Sequence, residues 1–249
     1  MIISHKHKFI FIKTRKTAGT SIEKALLSIC GEDDVITRDH LHQGEEDVFK
    51  EDARNYEGQW LPVKELLSSR TLLDAMRVGR DWAQRPKFYN HMTANSVKSR
   101  IDKGVWDSYY KFCFERNPWD KCISFYYWQG RGGRDLGEFR DYLLHADKRG
   151  TIDQTLPKDW RRYSHNNQII VDDVYDFNDL QGGLLSALGK TNYNGDGNSI
   201  QLPSLKSGLR KNNFKYDEDM NEFICKQFAE EIKQFSYKCP QSLQHKVGQ

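Results

Sequence analysis

The chain has 249 residues, 29% of them charged and 12% aromatic, and its formal net charge at pH 7 is +3. This length suits one large α/β domain or two small ones, and the aromatic content argues against a disordered chain. Because the net charge is small, we expect no binding of nucleic acid through overall charge, and attraction of an anion must come from local clusters.

No apolar run approaches the length of a transmembrane helix, and the N-terminal stretch is interrupted by His and Lys too early for a signal peptide. The five cysteines are widely spread and include no C-x-x-C pair, which favours reduced thiols over disulfides or a zinc site. We therefore expect a cytoplasmic protein without an integral membrane segment and without a metal. We take 1–249 as one domain with a frayed tail, 240–249.

The first predicted unit is a strand, a basic turn and a helix. Residues 9–12 form a short apolar run that is typical of a buried strand, and apolar residues recur with helical spacing over 22–29. The turn between them, 13–21, is rich in basic and hydroxyl side chains. Because a helix N-terminus offers unpaired N–H groups and a partial positive charge, this unit predicts a phosphate site.

The turn differs from the ATP-binding loop G-x-x-x-x-G-K-[ST], in which lysine directly follows the second glycine. Here Thr20 follows Gly19, and the lysine stands earlier, at Lys16, which would point it at the reacting end of a ligand. A purely structural interpretation is also open, in which Thr20 caps the helix and Glu23 completes a capping box.

Two helical stretches are predicted before the middle of the chain. Apolar residues in 60–76 indicate one or two helices. The basic stretch that follows, 77–87, is either a solvated face or a surface that attracts the substrate. His91 stands just before a further helix that Thr93 or Asn95 would cap.

A second strand, turn and helix covers 112–128. Asn117 followed by Pro118 is a strong signal for a helix start, with the asparagine as cap and the proline in the first turn. Arg116 lies at the turn and Ser124 two turns into the helix. We expect both to face the end of the sheet at which an anion would bind.

The rest of the chain continues the alternation of strands and helices. A strand is predicted near 169–175, a helix over 180–188, and a last helix over 217–235. The basic segment 202–216 has no apolar period and indicates an ordered loop. The alternation predicts an α/β fold, a P-loop-like three-layer α/β/α arrangement with a central, mainly parallel sheet and the nucleotide at the carboxyl ends of the strands.

Three stretches resemble the sulfotransferase superfamily, in particular its carbohydrate, Golgi-type and bacterial branch. RKTAGTS at 15–21 is similar to the family's P-K-T-[AG]-[GS]-T-S loop, which binds the 5′-phosphosulfate. FCFERNPWDKCISFYYW at 112–128 is similar to its F-x-F-V-R-N-P-[WY]-[DE]-R-x-x-S-x-Y segment, which binds the 3′-phosphate. LKSGLRK at 205–211 is similar to its late basic loop.

The resemblance implies that the donor is 3′-phosphoadenosine 5′-phosphosulfate and that no metal is required. Lys16 would stabilise the leaving phosphate, and the planar fork of Arg116 together with Ser124 would hold the 3′-phosphate. The residues implied in nucleotide binding are Arg15, Thr17, Ala18, Gly19, Thr20, Ser21, Arg116, Ser124, Lys206, Ser207, Gly208 and Arg210.

A general base must take the proton of the acceptor. His91 is the candidate catalytic base, because histidine titrates near neutrality and the stretch 91–97 resembles the family's H-x-[ST]-x-x-x-[IVL]. Asp39 or Glu45 is the rival, since 31–57 is expected to form a long loop or short helices over the active-site face.

The chain departs from the family pattern at two positions. Arg15 stands where the family has proline, and Glu115 stands where it has an apolar residue. Strand alternation places Glu115 opposite Arg116, so its carboxylate is expected to point away from the nucleotide. Lys13 stays open as an alternative to Lys16 for the functional lysine.

We therefore predict an enzyme, of bacterial or viral origin, that transfers a sulfuryl group to a hydroxyl or amine of a small-molecule or glycan acceptor, chiefly a carbohydrate. One alternative is an ATP- and Mg²⁺-dependent phosphotransferase, for which IIVDD at 169–173 is the contender for an acidic strand end. The other is a non-catalytic module that binds polyanions, whose affinity would fall steeply with salt.

Overall fold

The computed structural model describes residues 1–38, 51–69, 71–150, 152–203 and 215–239. The strands are β1 (Ile2–Ser4), β2 (Phe9–Phe11), β3 (Val35–Ile36), β4 (Tyr110–Glu115), β5 (Ser164–His165), β6 (Gln168–Ile169) and β7 (Asp173–Asp176). The α-helices are α1 (Gly19–Leu27), α2 (Val63–Ser68), α3 (Leu72–Gln84), α4 (Ala94–Arg100), α5 (Lys103–Ser108), α6 (Pro118–Gln129), α7 (Phe139–Leu144), α8 (Ile152–Thr155), α9 (Trp160–Tyr163), α10 (Leu180–Leu188), α11 (Glu218–Gln227) and α12 (Ala229–Phe235).

Five strands form the central sheet, in the order β3–β1–β2–β4–β7. β2 pairs in parallel with β4, and β4 with β7, whereas β1 runs antiparallel to both of its neighbours. Four of the five strands therefore run in one direction, which confirms the predicted mainly parallel sheet. β5 and β6 form a separate antiparallel pair.

Helices cover both faces of the sheet, because successive side chains of each strand point to opposite sides. On one face, Phe11 and Phe112 pack with α1 and α10. On the other face, Ile10 and Cys113 pack with residues of α4, α5 and α9. The predicted three-layer α/β/α arrangement is confirmed.

A further apolar cluster lies among α6, α7 and α11. Tyr216 anchors it, because its hydroxyl donates to the backbone carbonyl of Trp119 at 2.7 Å. This cluster fixes α6, which carries the second predicted phosphate-binding segment.

Three elements differ from the sequence prediction. β1 and β3 were not predicted, because strands of three and two residues are too short to show a period. The strand expected over 169–175 begins only at Asp173. The single last helix is two helices, since Phe228 between them has non-helical backbone angles.

The predicted helices of 60–76 are present as α2 and α3, and the second of them extends to Gln84. Across the part of the chain that the structure describes, no helix combines the length and the apolar character needed to cross a bilayer.

Candidate functional site

The loop between β2 and α1 lies at the carboxyl edge of the sheet, beside the end of β4. Two of its residues, Lys16 and Ala18, have left-handed backbone conformations, with φ of 61° and 59°. Such conformations cost free energy in residues other than glycine and are concentrated at functional sites. Ala18 is the N-cap of α1, and its side chain has no group that could cap a helix. The capping-box reading of Thr20 is therefore wrong.

Two threonine hydroxyl groups hold this loop from inside. The Thr14 hydroxyl donates to the backbone carbonyl of Phe114 and lies 2.8 Å from the Thr17 hydroxyl. Both threonines are buried, so their hydroxyls stabilise the loop and are not available to a ligand. Thr20 and Ser21, in the first turn of α1, are partly exposed. Their hydroxyls are placed where an anion at the helix N-terminus could reach them.

Lys13 and Lys16 occupy different environments. Lys13 is buried, and its Nζ lies 2.7 Å from Oε2 of Glu23. Its side chain runs beneath Gly19, where an added Cβ would lie 2.7 Å from Lys13 Cγ. Burial alone would raise the pKa of Glu23, but the charges of Lys13 and of the amino terminus lower it. This geometry gives Lys13 a structural role.

Lys16 is partly exposed and extends toward α6, where its Nζ lies 5.3 Å from the centre of the Trp128 ring. Ser124 is four residues before Trp128, so the two side chains share one face of α6. The structure therefore brings the loop lysine and Ser124 to the same side of the site.

Arg116 joins the end of β4 to the loop. Its Nη1 donates to the backbone carbonyl of Lys16 at 2.8 Å, and its Nε donates to Asp120. The guanidinium also packs on the ring of Phe177, 3.9 Å from the centre. The predicted helix start beside it is confirmed, because the Asn117 side chain accepts from the N–H of Trp119.

Asp159, which no sequence pattern indicated as a site residue, lies in the centre of a buried charge cluster. Its carboxylate accepts from the backbone N–H of Arg15 at 2.7 Å and from the Arg15 Nε at 3.0 Å. Lys121 Nζ lies 2.8 Å away and Arg162 Nε 2.6 Å away. Burial alone would raise the pKa of Asp159, but the three cations hold it below its usual range.

Glu115 belongs to the same cluster and lies on the sheet face of Cys113, away from Phe114. Its carboxylate forms an ion pair with Lys121 and accepts from the Tyr163 hydroxyl at 2.9 Å. Burial alone would lower the pKa of Lys121, but Asp159 and Glu115 raise it. The negative charge of Glu115 is thus balanced by Lys121 inside the protein. This agrees with the expectation that its carboxylate points away from the nucleotide site.

His91 lies beside the loop, in the left-handed conformation with φ of 57°. Its Nδ1 is 3.0 Å from the backbone carbonyl of Lys13. Because a carbonyl oxygen only accepts, Nδ1 carries the proton and Nε2 keeps its lone pair. Burial, with the charges of Lys13 and Arg162, lowers the pKa of His91 well below its usual value of 6.5.

Arg162 connects His91 to the charge cluster. Its guanidinium donates to the backbone carbonyl of His91 and to the carboxylate of Asp159, which also holds Arg15. The buried carboxylate of Asp159 therefore positions Arg15 of the predicted phosphate-binding loop directly, and His91, the candidate base, through Arg162. No local sequence pattern indicated this, since Asp159 is 144 residues away from Arg15.

Several predicted residues lie outside the described residues, and their roles stay predictions. They are Lys206, Ser207, Gly208 and Arg210 of the late basic loop, and the rival bases Asp39 and Glu45.

The segment IIVDD, the candidate for the acidic strand end of an ATP site, does not lie at the carboxyl edge of the sheet, where the predicted phosphate loop is. Asp173 is the first residue of β7, and Asp172 precedes it and accepts from the N–H of Lys111 at 2.7 Å. Within the described ranges no group of three His, Cys, Asp or Glu side chains could hold a metal ion. The expectation that no metal takes part stays a prediction.

Comparisons with known proteins identify a matching family, a curated relative and a similar solved structure. The family model described as Sulfotransferase family matches residues 1–238. A curated relative, an uncharacterized protein of Archaeoglobus fulgidus, is 38% identical over 53 residues, which are 21% of this chain and 44% of that protein. The chain thus spans less than half the length of this relative.

A solved structure of a sulfotransferase from Alicyclobacillus acidocaldarius aligns with 93% of this chain and 96% of its own. The sequence identity is 15% and the TM-score is 0.38. The assignment to a family therefore rests on the family model, which matches residues 1–238. The chain belongs to the sulfotransferase family.

Proposed function

We propose that the chain transfers a sulfuryl group from 3′-phosphoadenosine 5′-phosphosulfate to a hydroxyl or amine of an acceptor, chiefly a carbohydrate. The observation that carries this proposal is the link between the two motifs, in which Arg116 donates to the backbone carbonyl of Lys16. This contact brings together, on one edge of the sheet, the segments that the resemblance assigns to the two phosphate groups of the donor.

The donor's 5′-phosphate would bind at the N-terminus of α1, on the N–H groups of 17–21 and the hydroxyls of Thr20 and Ser21. Lys16 would neutralise the charge that grows on the bridging oxygen during transfer. Among the described residues, Arg116 directs two of its five side-chain N–H donors to Asp120 and to the carbonyl of Lys16, and the others suit a 3′-phosphate beside Ser124.

The proposed reaction is an in-line displacement at sulfur. The acceptor oxygen or nitrogen forms a bond to sulfur as the bond from sulfur to the bridging oxygen of the 5′-phosphate breaks. The acceptor proton passes to Nε2 of His91, and 3′-phosphoadenosine 5′-phosphate leaves with the bridging oxygen. Nε2 suits this role because Nδ1 already carries a proton that it donates to Lys13.

Calorimetric titration with 3′-phosphoadenosine 5′-phosphate in EDTA tests the nucleotide part. We expect micromolar affinity for the wild type and a loss of about tenfold to a hundredfold in Arg116→Ala, since a charged hydrogen-bond donor is removed. Ser124→Ala is a milder second variant that does not disturb the contact with Lys16. Lys190→Gln, which removes a half-exposed cation after α10, is the control and should bind normally.

The two alternative functions give different results in the same experiment. Binding of ATP only when Mg²⁺ is restored would favour the phosphotransferase. Binding of many polyanions that is steeply weakened by salt, but indifferent to the identity of Lys16 and His91, would favour the non-catalytic module. Transfer of labelled sulfate to a panel of sugars and amines then identifies the acceptor class.

A further inference from the structure

Residues 61–69 and 71–87, called the hairpin below, contain α2 and α3, and the amphipathic pattern of both helices is reversed. In α2, the charged Glu65 is the buried residue, 5% exposed, and it forms an ion pair with Arg100 at 2.6 Å. Leu67, on the other side of the same helix, is 83% exposed. A helix that packs on a protein core normally does the opposite.

α3 repeats this reversal over its thirteen residues, none of which is buried. Asp74 and Asp81 face the protein, where Arg161 donates to Asp74 at 3.1 Å and the Tyr89 hydroxyl donates to Asp81 at 2.7 Å. Leu72 and Met76 share the outer face and are 78% and 61% exposed. Polar contacts therefore attach α3 to the body of the protein, and its apolar face is left outward.

The hairpin holds the exposed large hydrophobic side chains found among the described residues. They are Leu61, Val63, Leu66, Leu67, Leu72, Leu73, Met76 and Trp82. Exposed apolar side chains gathered in one patch mark a surface that contacts a partner or a membrane. Trp82 donates its indole N–H to the backbone carbonyl of Trp60 at 3.1 Å, so the last turn of α3 is bonded to the segment before α2.

The charges of the hairpin indicate what covers it. Its described residues include five Lys and Arg residues but only three acidic residues, Glu65, Asp74 and Asp81. Glu65 pairs with Arg100, and Asp74 and Asp81 contact the body of the protein. The same two aspartates also pair with Arg77, Arg80 and Arg85 of the hairpin, whereas Lys64 and Arg80 are exposed. The outer surface is therefore apolar and cationic, which complements a layer that is apolar inside and anionic at its surface.

We propose that the hairpin docks on the surface of a bilayer that contains anionic phospholipids. A two-fold contact between copies of the chain would place two faces together that each carry more cations than carboxylates, so like charges would repel. A partner that wraps around a basic helix is disfavoured, since the inner face of α3 is already bound to the protein. The proposal goes beyond the transfer reaction and does not depend on it.

Co-sedimentation of the full chain with vesicles tests the proposal. We expect binding to vesicles of phosphatidylcholine and phosphatidylglycerol, and little binding to phosphatidylcholine alone. Leu67→Ser/Leu72→Ser/Met76→Ser should weaken the partition by at least about tenfold, because three apolar side chains no longer enter the lipid. Lys64→Gln/Arg80→Gln should weaken it by about fivefold for each cation removed.

Lys190→Gln, on the sheet face covered by α10, is the matched charge control and should bind as the wild type does. Thermal unfolding of each variant should be unchanged, since the altered side chains are exposed. Equal binding to both vesicle types, absence of binding, or binding unaffected by the hairpin variants would each overturn the proposal. A dimer in sedimentation equilibrium that the triple variant dissolves would also overturn it, and would assign the face to a second copy.

Discussion

The carboxylate of Asp159 holds Arg15 by two hydrogen bonds, one from the backbone N–H at 2.7 Å and one from Nε at 3.0 Å. The same carboxylate binds Arg162, which donates to the backbone carbonyl of His91. The side chain that replaces the family's proline in the loop is thus directed into the protein. A buried ion pair does here what a rigid ring would otherwise do, because both restrict the loop backbone.

Asp159→Asn should lower both stability and nucleotide affinity. The substitution removes the one carboxylate that Arg15, Lys121 and Arg162 share, so buried cations lose their counter-charge. We expect the free energy of unfolding to fall by about 3–5 kcal/mol. Urea denaturation measures this loss, and calorimetry with 3′-phosphoadenosine 5′-phosphate measures the affinity.

The control is Asp107→Asn on α5, which removes an exposed partner of Lys103. Its unfolding free energy should stay within about 0.5 kcal/mol of the wild type. A similarly small change in Asp159→Asn, with unaltered affinity, would show that the cluster does not support the loop.

The two loop lysines should separate in a pair of methionine variants. Lys13→Met leaves Glu23 buried without its lysine partner, so we expect a loss of about 3 kcal/mol or more in the free energy of unfolding. Lys16→Met should leave unfolding nearly unchanged but slow sulfuryl transfer by about 10²–10³-fold, as expected when a group that stabilises transition-state charge is removed. Urea denaturation measures the free energy of unfolding, and assays of product formation measure the rate of transfer.

A double variant shows whether the Lys13 effect is structural. In Lys13→Met/Glu23→Gln both members of the buried pair become neutral, and the glutamine oxygen can still accept from the buried amino terminus, which should recover part of the lost stability. If Lys13→Met were stable but inactive, while Lys16→Met stayed active, the roles assigned to the two lysines would have to be exchanged.

The parts of the site that could be predicted from the sequence are those with local signals. The loop before α1 and the cap at Asn117 each have a signal in consecutive residues. The structure confirms the helix start at Asn117 and begins α1 at Gly19, inside the predicted turn 13–21. Asp159 could not be predicted, because its contact with Arg15 spans 144 residues and obeys no period. Buried ion pairs of this kind depend on how the layers pack, which a single sequence does not encode locally.

The same distinction applies to the fold. The apolar run of β2 and the alternation of β4 predicted central strands, since buried strands carry a continuous or period-two pattern. β1 and β3 have too few residues for either pattern. The apolar spacing of 60–76 predicted one or two helices, but the spacing alone does not show that the apolar face of the hairpin is directed outward.

A matched pair of glycine variants tests the packing beneath the phosphate loop. In Gly19→Ala, the added Cβ would lie 2.7 Å from Cγ of Lys13, so the buried lysine must move away from Glu23. We expect a loss of about 1–3 kcal/mol, as for other overpacked sites. In Gly79→Ala on α3, no atom lies within 4 Å of the added Cβ, and helix propensity should stabilise the protein by up to about 1 kcal/mol. Thermal unfolding measures both, and equal effects would contradict the packing argument.

His91→Asn should abolish most of the transfer rate and leave nucleotide affinity unchanged. Asparagine tolerates the left-handed backbone at this position, and its amide can replace the Nδ1–H donor to Lys13, but it has no basic nitrogen. The loss of a general base predicts a rate lower by about 10²–10⁴-fold. His145→Asn, at an exposed histidine, is the control. An active His91→Asn would direct attention to Asp39 or Glu45.

The pH dependence of the wild type should report the same histidine. Because the folded-state pKa of His91 lies well below 6.5, Nε2 stays unprotonated at neutral pH, and kcat/KM should fall only at a more acidic pH. The unfolded chain binds the proton at its ordinary pKa, so stability should decrease as the pH falls below about 6.5. Both dependences should be reduced in His91→Asn. A kcat/KM that falls with an apparent pKa above 6.5 in the wild type, or an acid limb that persists in the variant, would assign the base to another residue.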